Sequence, residues 1–303
     1  MRRRRLGVMD VFMYGKTLII ILILLVLFTL LCLAEVWREL HSFQVKRYQL
    51  SRKFSHQRNE KIKIAFLSDL HNHSYGKENQ ELLEAIRVES PDLILIGGDM
   101  IVAKHGHAKN LVEDFMEALP AIAPVYFANG NHEQRMKEYP EDYPISYGKM
   151  KEDWEKAGIH FLSNSSEMIC IKGRAFRLYG LELPDLYYHH HKRPFFDLQK
   201  MESLLGAPDS EDAYKILLAH NPSFMDTYLS WGADLILSGH MHGGIVRIPG
   251  FRGVISTEFH LFPKYSGGFY QEKGKDILVS CGLGTHTIPF RFLNPAELLM
   301  IEL

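Results

Sequence analysis

Side chains that commonly bind metal ions stand just after short apolar runs along this sequence. Each is an aspartate, a histidine or an asparagine, and several stand beside glycine. In chain order they are Asp69-x-His71, Gly98-Asp99, Gly130-Asn131-His132, His220 and Gly239-His240-x-His242. Taken singly, each has an ordinary structural explanation, such as a helix cap, a turn or a hydrogen-bonded histidine. Taken together, they are costly to bury at one sheet edge unless something binds them.

The chemistry of these side chains indicates a pair of metal ions. Carboxylate, amide and imidazole donors without thiolate suit Mn, Fe, Zn or Ni, while the imidazoles exclude an all-oxygen calcium site. The donors are more numerous than one ion of ordinary coordination number uses, so two divalent or trivalent ions that share a bridging carboxylate fit better. The neighbouring glycines allow the backbone to turn sharply and approach the ions closely.

Apolar runs alternate with helical patterns along the body of the chain, which predicts an α/β domain. In such sheets ligands bind just beyond the carboxyl ends of the strands, where these polar groups stand. The predicted strands that precede them cover 61–67, 92–96, 124–128, 214–218 and 234–237. Predicted helices cover 78–88 and 111–118.

Length and composition describe a globular body with a basic front end. The 303 residues are 46% hydrophobic and 23% charged, which excludes disorder, collagen and coiled coil, and three cysteines exclude a disulfide scaffold. The net charge of -1 divides into +4 for residues 1–16, +5 for 35–63 and -10 for 64–303. Because nonspecific nucleic-acid binding needs a basic face, the acidic body argues against it.

Residues 17–34 carry no charge and are apolar on every face, which predicts a transmembrane anchor over 17–37. A basic tail (1–16) precedes this anchor, a basic linker (38–60) follows it, and residues 61–303 form the body. A cleaved signal peptide is the main alternative, with Cys32-Leu33-Ala34 as the cleavage site. The apolar run is longer than the ~7–15 residues usual for such a peptide, which favours the anchor.

The basic residues on either side of the predicted anchor bear on its orientation. Residues 1–16 and residues 35–54 each contain five Lys or Arg, so the positive-inside count does not decide between the two orientations. A compact basic cluster directly before the apolar run, with a long domain behind it, favours a cytoplasmic N-terminus. We therefore expect a single-pass protein of the cell membrane whose body lies outside the cytoplasm.

The series DLH, GGD, GNH, H and GHMH, in this order and after these strands, resembles the calcineurin-like metallophosphoesterase superfamily. The resemblance covers roughly 61–303. The apolar N-terminal segment and compact body are similar to the bacterial single-domain branch that contains membrane-bound phosphoesterases. This resemblance implies a sandwich of two β-sheets flanked by helices, here with one N-terminal transmembrane helix.

The resemblance also gives each residue of the series a role. It implies that His132 is the catalytic imidazole, near the metals without ligating either. It implies a first metal held by Asp69, His71 and His242, a second held by Asn131, His220 and His240, and a bridge between them formed by Asp99.

Two positions depart from patterns within the superfamily. Purple acid phosphatases have a tyrosine ligand three residues after the bridging aspartate, where this chain has Val102, so that branch is disfavoured. Bacterial relatives often have an arginine beside glycines near the C-terminus, where this chain has Cys281. Arg291 is close in sequence and is a weak candidate for that phosphate contact, with a surface salt bridge as the alternative. Asn72, beside the ligands, is a second weak candidate for a substrate contact.

The metal chemistry and the resemblance together predict a membrane-anchored hydrolase of phosphate mono- or diesters. Its substrate would be a phosphorylated small molecule or a lipid-linked phosphate. A water between the two ions, acidified towards neutrality, would attack phosphorus, and His132 would protonate or orient the leaving group. Two alternatives remain open: a catalytically silent binding or regulatory protein of the same fold, and a metallonuclease. The complete ligand series counts against the first, and the acidic body and the tether count against the second.

Overall fold

The computed structural model describes residues 8–50, 60–103, 112–189, 193–208, 212–244, 246–248, 253–256, 261–285 and 289–303. The strands are β1 (Phe43–Gln49), β2 (Lys63–Leu67), β3 (Leu93–Ile96), β4 (Val125–Phe127), β5 (Ile159–Phe161), β6 (Ser165–Ile171), β7 (Arg174–Leu181), β8 (Tyr214–Ala219), β9 (Leu235–Ser238), β10 (Gly268–Glu272), β11 (Lys275–Val279) and β12 (Ala296–Glu302). The α-helices are α1 (Val8–His41), α2 (Gln80–Glu89), α3 (Glu113–Ala118), α4 (Asn131–Glu138), α5 (Tyr147–Ala157), α6 (Leu198–Leu205) and α7 (Met225–Trp231).

The described strands form two six-stranded mixed sheets. The first has the spatial order β1-β12-β2-β3-β4-β5, and its strands β2 to β5 are parallel. The second has the order β10-β11-β9-β8-β7-β6, and β7, β8, β9 and β11 are parallel. Because parallel strands present their carboxyl ends at one edge, residues that follow β2, β3 and β4 are brought together, as are those that follow β8 and β9.

The two sheets pack face to face and carry helices on their outer faces. The central core joins side chains of both sheets, such as Phe66 and Leu95 of the first and Ile216 and Leu237 of the second. Helices α2, α3 and α5 cover the outer face of the first sheet, and α6 and α7 cover the second. The inner strands are buried on both faces, which explains their almost uninterrupted apolar sequences. The predicted sandwich is confirmed.

The segment that the sequence analysis treats as a basic linker contains a strand. Within residues 38–60, β1 pairs in parallel with β12, from Phe43 opposite Ala296 to Gln49 opposite Glu302. Phe43 and Val45 pack against the helix-covered core, while Lys46 and Arg47 find carboxylate partners. The linker description therefore needs correction, because the folded domain begins at or before Phe43. Residues 1–7 of the basic tail and 51–59 of the linker lie outside the described residues.

Helix α1 is the apolar N-terminal element. Its segment Met13–His41 is long and apolar enough to cross a membrane, and its most apolar window has no residue buried against the rest of the protein. Thr17 and Thr29 satisfy their hydroxyls within the helix by donating to the carbonyl oxygens four residues earlier. A membrane span and a signal sequence share these features.

Candidate metal centre

The strand ends position the predicted ligands at one edge of the sandwich. Asp69 follows β2 and Asp99 follows β3, while His220 directly follows β8. Asn131 is the first residue of α4, which begins just after β4, and His240 follows β9. All of these side chains are buried, with at most 8% of any of the eight predicted site residues exposed.

Several site residues have left-handed backbone conformations that non-glycine residues rarely adopt. The φ angles are 56° at Asp69, 51° at His71, 56° at Asp99, 67° at His240 and 49° at His242. Each such residue costs roughly 1–2 kcal/mol relative to ordinary conformations. Strain of this kind persists where surrounding structure imposes it, and it concentrates at functional sites.

Glycines are required where the loops of the centre touch. Gly98 has φ +89°, and a Cβ atom there would lie 2.0 Å from the main-chain nitrogen of Gly130. A Cβ atom on Gly130 would lie 2.2 Å from Oδ1 of Asp99. These contacts are far inside van der Waals separation, so the glycines allow the β3 and β4 loops to bring Asp99 and Asn131 together.

One group of donor atoms surrounds the Asp69 carboxylate. Nε2 of His242 lies 3.2 Å from Asp69 Oδ1, and Nε2 of His71 lies 3.8 Å from the same oxygen. The two imidazole Nε2 atoms are 3.0 Å apart. The other carboxylate oxygen of Asp69 accepts a hydrogen bond from Ser68 Oγ at 2.6 Å, and the main-chain N–H of His240 also donates to this carboxylate. Ligand atoms of Asp69, His71 and His242 all lie within 4.8 Å of one another.

A second group of donor atoms surrounds the Asp99 carboxylate. Asp99 Oδ2 lies 3.1 Å from His220 Nε2 and 3.7 Å from His71 Nε2, so it stands between the two groups. Ligand atoms of Asp99, His220 and His240 lie within 4.8 Å of one another. Asn131 Oδ1 is 2.8 Å from His240 Nδ1, which adds the predicted amide oxygen to this group.

The donor set fits two cations. His220 Nδ1 is 2.6 Å from the carbonyl oxygen of Gly97 and donates to it, which leaves Nε2 as the lone-pair nitrogen of a neutral ring. That Nε2 is buried 3.1 Å from a carboxylate oxygen of Asp99 and 3.8 Å from one of Asp69, and a neutral ring has no proton there to donate to them. A lone pair held against anionic oxygens is repulsive unless a positive charge lies between them. Metal cations would provide this positive charge, and two carboxylates, an amide oxygen and four imidazoles would be their oxygen and nitrogen ligands.

The charges of the centre shift the pKa values of its members strongly. Burial by itself raises the pKa of Asp99, but the histidines, His220 foremost, outweigh it and hold that pKa well below the usual range. Burial lowers the pKa of His220, yet the Asp99 carboxylate outweighs it and raises the value to about 10, so a proton supplies the positive charge at Nε2 when no metal ion is bound. For His242, burial dominates the attraction of Asp69 and lowers the pKa to about 4. The centre therefore favours ionised carboxylates that attract positive charge.

His132 lies beside this cluster with its ring orientation fixed by the main chain. Its ring centroid is 4.8 Å from that of His71, and its Nδ1 accepts a hydrogen bond from the Ala103 N–H at 2.9 Å. Because Nδ1 is the acceptor, the neutral ring carries its proton on Nε2. The main-chain N–H of His132 donates to Asp99 Oδ1 at 2.8 Å, so α4 is tied to the β3 loop.

Glu133 is a buried residue of the centre that the sequence analysis missed. Its carboxylate accepts hydrogen bonds from the main-chain N–H groups of Asp99 at 2.7 Å, Met100 at 2.9 Å and Gly130 at 3.0 Å. Burial, followed by the nearby Asp99 charge, raises the pKa of Glu133 to about 7. The available signal was a glutamate three residues after Gly130, where a capping-box residue stands at the start of a helix.

The two weaker predicted substrate contacts lie in different environments. Asn72 follows the ligands of the β2 loop, and its buried Oδ1 makes no hydrogen bond among the described residues. Arg291 is 3% exposed, and its guanidinium donates to the carbonyl oxygens of Cys281 at 2.7 Å, Gly282 at 3.1 Å and Asn294 at 3.1 Å. This placement favours support of the 281–284 loop over both the phosphate contact and the surface salt bridge considered from sequence.

Comparison with known proteins identifies the family. Residues 62–244 match the model of the calcineurin-like phosphoesterase family. The chain belongs to this family. The superfamily resemblance noted in the sequence is therefore confirmed, and the family supports a metal-dependent phosphoric ester hydrolase. The family uses two metal ions, in agreement with the two groups of donors around Asp69 and Asp99.

Individual relatives are similar over most of the described body. The Caenorhabditis elegans protein F40B5.2 is 30% identical over 259 residues, 80% of this chain but only 48% of its own length. Phosphodiesterase YaeI of Escherichia coli is 31% identical over 195 residues, 62% of this chain and 63% of its own. Among solved structures, a 5'-nucleotidase precursor from Thermus thermophilus aligns with 15% identity and a TM-score of 0.47, covering 74% of this chain and 49% of that one. The chain thus spans about half to two thirds of these relatives.

Proposed function

We propose that this chain is a membrane-anchored phosphodiesterase whose centre holds two metal ions. The observation that carries the proposal is the convergence of two carboxylates, one amide and four imidazoles at a single buried edge. The name of the Escherichia coli relative, a phosphodiesterase, favours a diester over a monoester. A lipid-linked phosphate is the substrate that best suits an anchored enzyme, and the metal identity is left among Mn, Fe, Zn and Ni.

The ligand assignment follows the two groups of donors. Asp69, His71 and His242 would hold one ion, and Asn131, His220 and His240 the other. The position of Asp99 Oδ2, 3.1 Å from His220 and 3.7 Å from His71, supports its role as the bridge. When bound, the ions would polarise the phosphoryl oxygens and lower the pKa of water.

The protein's own residues would orient the metal ligands and supply a proton to the leaving group. The carbonyl of Gly97 fixes the ring of His220 so that Nε2 points at the carboxylates. His132 would donate its Nε2 proton to the leaving oxygen, since its Nδ1 is already an acceptor for the Ala103 N–H. Glu133 keeps the Asp99 loop in place by accepting its main-chain N–H groups. Asn72, whose Oδ1 accepts no hydrogen bond from any described residue, is a candidate contact for the substrate.

The anchor is the second part of the proposal. Helix α1 would cross the cell membrane once, with the basic N-terminus in the cytoplasm and the metal centre outside. Its unburied apolar surface supports a span, because side chains of this type are normally covered by protein or by lipid.

The test uses the full-length protein in detergent with added Mn and two chromogenic substrates, a phosphodiester and a phosphomonoester. We expect hydrolysis with a preference for the diester. Asp99→Ala should lose both bound metal and activity, while His132→Ala should keep its metal and lose about 100-fold or more in kcat. Asp153→Asn, which changes an exposed ion pair on α5, is the matched control and should behave as the parent. Hydrolysis that survives in Asp99→Ala, or metal loss in His132→Ala, would contradict the assigned roles.

A further inference from the structure

Five exposed apolar side chains stand on loops that lie beside the metal centre. Among the described residues, this apolar rim consists of Ile248, Leu261, Phe262, Phe290 and Leu293, which are 37–69% exposed. Main-chain contacts join the loops that carry them. The segment at 246 bridges that at 292, the N–H at 254 donates to the carbonyl at 246, and the N–H at 262 donates to the carbonyl at 254. These contacts place the loops next to one another, so that their exposed apolar side chains lie in one region of the surface.

The apolar rim is tied both to α1 and to a predicted metal ligand. Asn294, the neighbour of Leu293, donates its main-chain N–H to Oε2 of Glu39 in α1 at 2.9 Å. The side-chain Nδ2 of Asn294 donates to the carbonyl oxygens of His242 at 2.6 Å and Gly244 at 2.7 Å. Glu39 and Asn294 are each 1% exposed, so this junction is part of the packed protein.

The sheet register shows that α1 meets the sandwich at the metal-centre edge. Strand β1 starts at Phe43, directly after α1, and Phe43 lies opposite Ala296 at the start of β12. Because β12 is antiparallel to β2, its start lies near the carboxyl end of β2, which leads to Asp69. The ring of Phe43 also contacts Tyr75, 4.8 Å between centroids, in the loop that follows the ligands.

The length of α1 sets the depth of this junction relative to a membrane. The uncharged run ends at Ala34, and Glu39 lies five residues further, about 7.5 Å along a helix. The polar headgroup layer on each side of a bilayer is roughly 5–7.5 Å thick, which is half the difference between total and hydrocarbon thickness. Glu39, with the Asn294 bonded to it, therefore falls at the outer limit of the headgroup layer. Trp37, 65% exposed, lies at the depth where interfacial tryptophans concentrate.

We propose that the apolar rim enters the interfacial layer of the bilayer beside α1 and holds the metal-centre edge of the sandwich against the membrane. The inference rests on the proposed membrane span of α1. The structure favours a bilayer as the partner of this surface, because Leu293 is one residue from the Asn294–Glu39 junction, which lies just beyond the apolar part of α1. The substrate phosphate would then be met at the membrane surface.

The test measures membrane contact directly in the full chain. Phe262→Cys would carry an environment-sensitive fluorophore, in a background with Cys32→Ala and Cys170→Ser, reconstituted into phosphatidylcholine–phosphatidylglycerol vesicles. Val88→Cys is the matched control, because Val88 is 72% exposed and apolar but stands next to Glu89, whose carbonyl binds Lys63 at the opposite edge. We expect blue-shifted emission and quenching by spin-labelled lipid at 262, and neither at 88. A label at Leu261→Cys should repeat the result at 262.

Three outcomes of the labelling experiment would overturn the proposal. Equal and weak lipid quenching at 262 and 88, with the protein still bound to vesicles, would place the rim in water. A blue shift at 262 without lipid quenching would mean that a second copy or another protein covers it. Failure of the chain to float with vesicles would refute both the span and the rim. Hydrolysis of the chromogenic diester, measured on the same samples, separates the two claims, since lost activity with retained quenching would refute only the proposed reaction.

Discussion

Main-chain hydrogen bonds assign different tasks to residues of one type. His220 donates a hydrogen bond from Nδ1 to the carbonyl oxygen of Gly97, so its Nε2 faces the carboxylates. His132 uses Nδ1 as an acceptor for an N–H group, which leaves the proton on Nε2. A metal ligand needs a lone pair on its coordinating nitrogen, and a general acid needs a proton there. These main-chain hydrogen bonds favour the neutral tautomer of each imidazole that its proposed role requires.

Glu133 offers a residue-scale prediction about how the Asp99 loop is held. Its carboxylate accepts hydrogen bonds from main-chain N–H groups, including those of Asp99, Met100 and Gly130. Glu133→Gln would turn an NH2 group towards some of these donors, so we expect a loss of about 1–3 kcal/mol in the free energy of unfolding and weaker metal binding. Denaturant unfolding and metal titration measure the two effects.

The control for this substitution is Glu155→Gln on α5. Glu155 is 49% exposed and 3.6 Å from Lys151, so its replacement should change stability by no more than about 0.5 kcal/mol. If Glu133→Gln were as mild as Glu155→Gln, the loop would be held by something other than this carboxylate.

The sequence predicts the ligand residues better than the residues that support them. Asp69, Asp99 and His220 each follow an apolar strand, so local sequence and sheet geometry suffice to place them together. Arg291 has no such signal, because its role depends on how the 281–284 loop passes around its guanidinium. The sequence also gives no signal for the role of Glu39, because its partner Asn294 is 255 residues away in the chain.

At the scale of elements, the difference between prediction and structure is largest at β1. The inner strands are predictable because burial on both faces makes them continuously apolar. Strand β1 is an edge strand with exposed and half-buried positions. Because it contains Lys46 and Arg47, its sequence is typical of a solvated linker. Its place in the sheet depends on pairing with β12, about 250 residues later, which local patterns do not reveal.

Truncation tests whether β1 belongs to the folded domain. A chain that begins at Lys61 would lack β1, leaving the apolar β12 as an exposed edge and the buried Glu297 without its ion-pair partner Lys46. We expect this chain to aggregate or to unfold at lower denaturant than one that begins at Arg38, which keeps β1 and Glu39. Size-exclusion chromatography and unfolding curves compare them. Equal midpoints and monomeric elution for both would show that β1 is dispensable.

At the scale of the whole molecule, net charge bears on how a substrate is attracted, and helix α1 bears on where the domain lies. The body from 64 to 303 carries a formal charge of -10, so the attraction of an anionic substrate depends on bound cations at the centre. Only one of the described helices is long and apolar enough to cross a membrane, and it precedes the entire sandwich. If α1 spans the membrane as proposed, the folded domain that follows it lies on one of two sides.

The three cysteines offer a way to decide that orientation. Cys170 is exposed on β6, Cys32 lies in the apolar part of α1, and Cys281 is buried. Burial raises the pKa of the Cys281 thiol to about 12, so it stays neutral and unreactive near pH 8. If the domain lies outside the cytoplasm, a membrane-impermeant maleimide should label the full-length protein on intact cells, and Cys170→Ser should abolish that labelling. Labelling that appears only after lysis would place the domain, and with it the metal centre, in the cytoplasm, where it would meet phosphates of the inner surface instead.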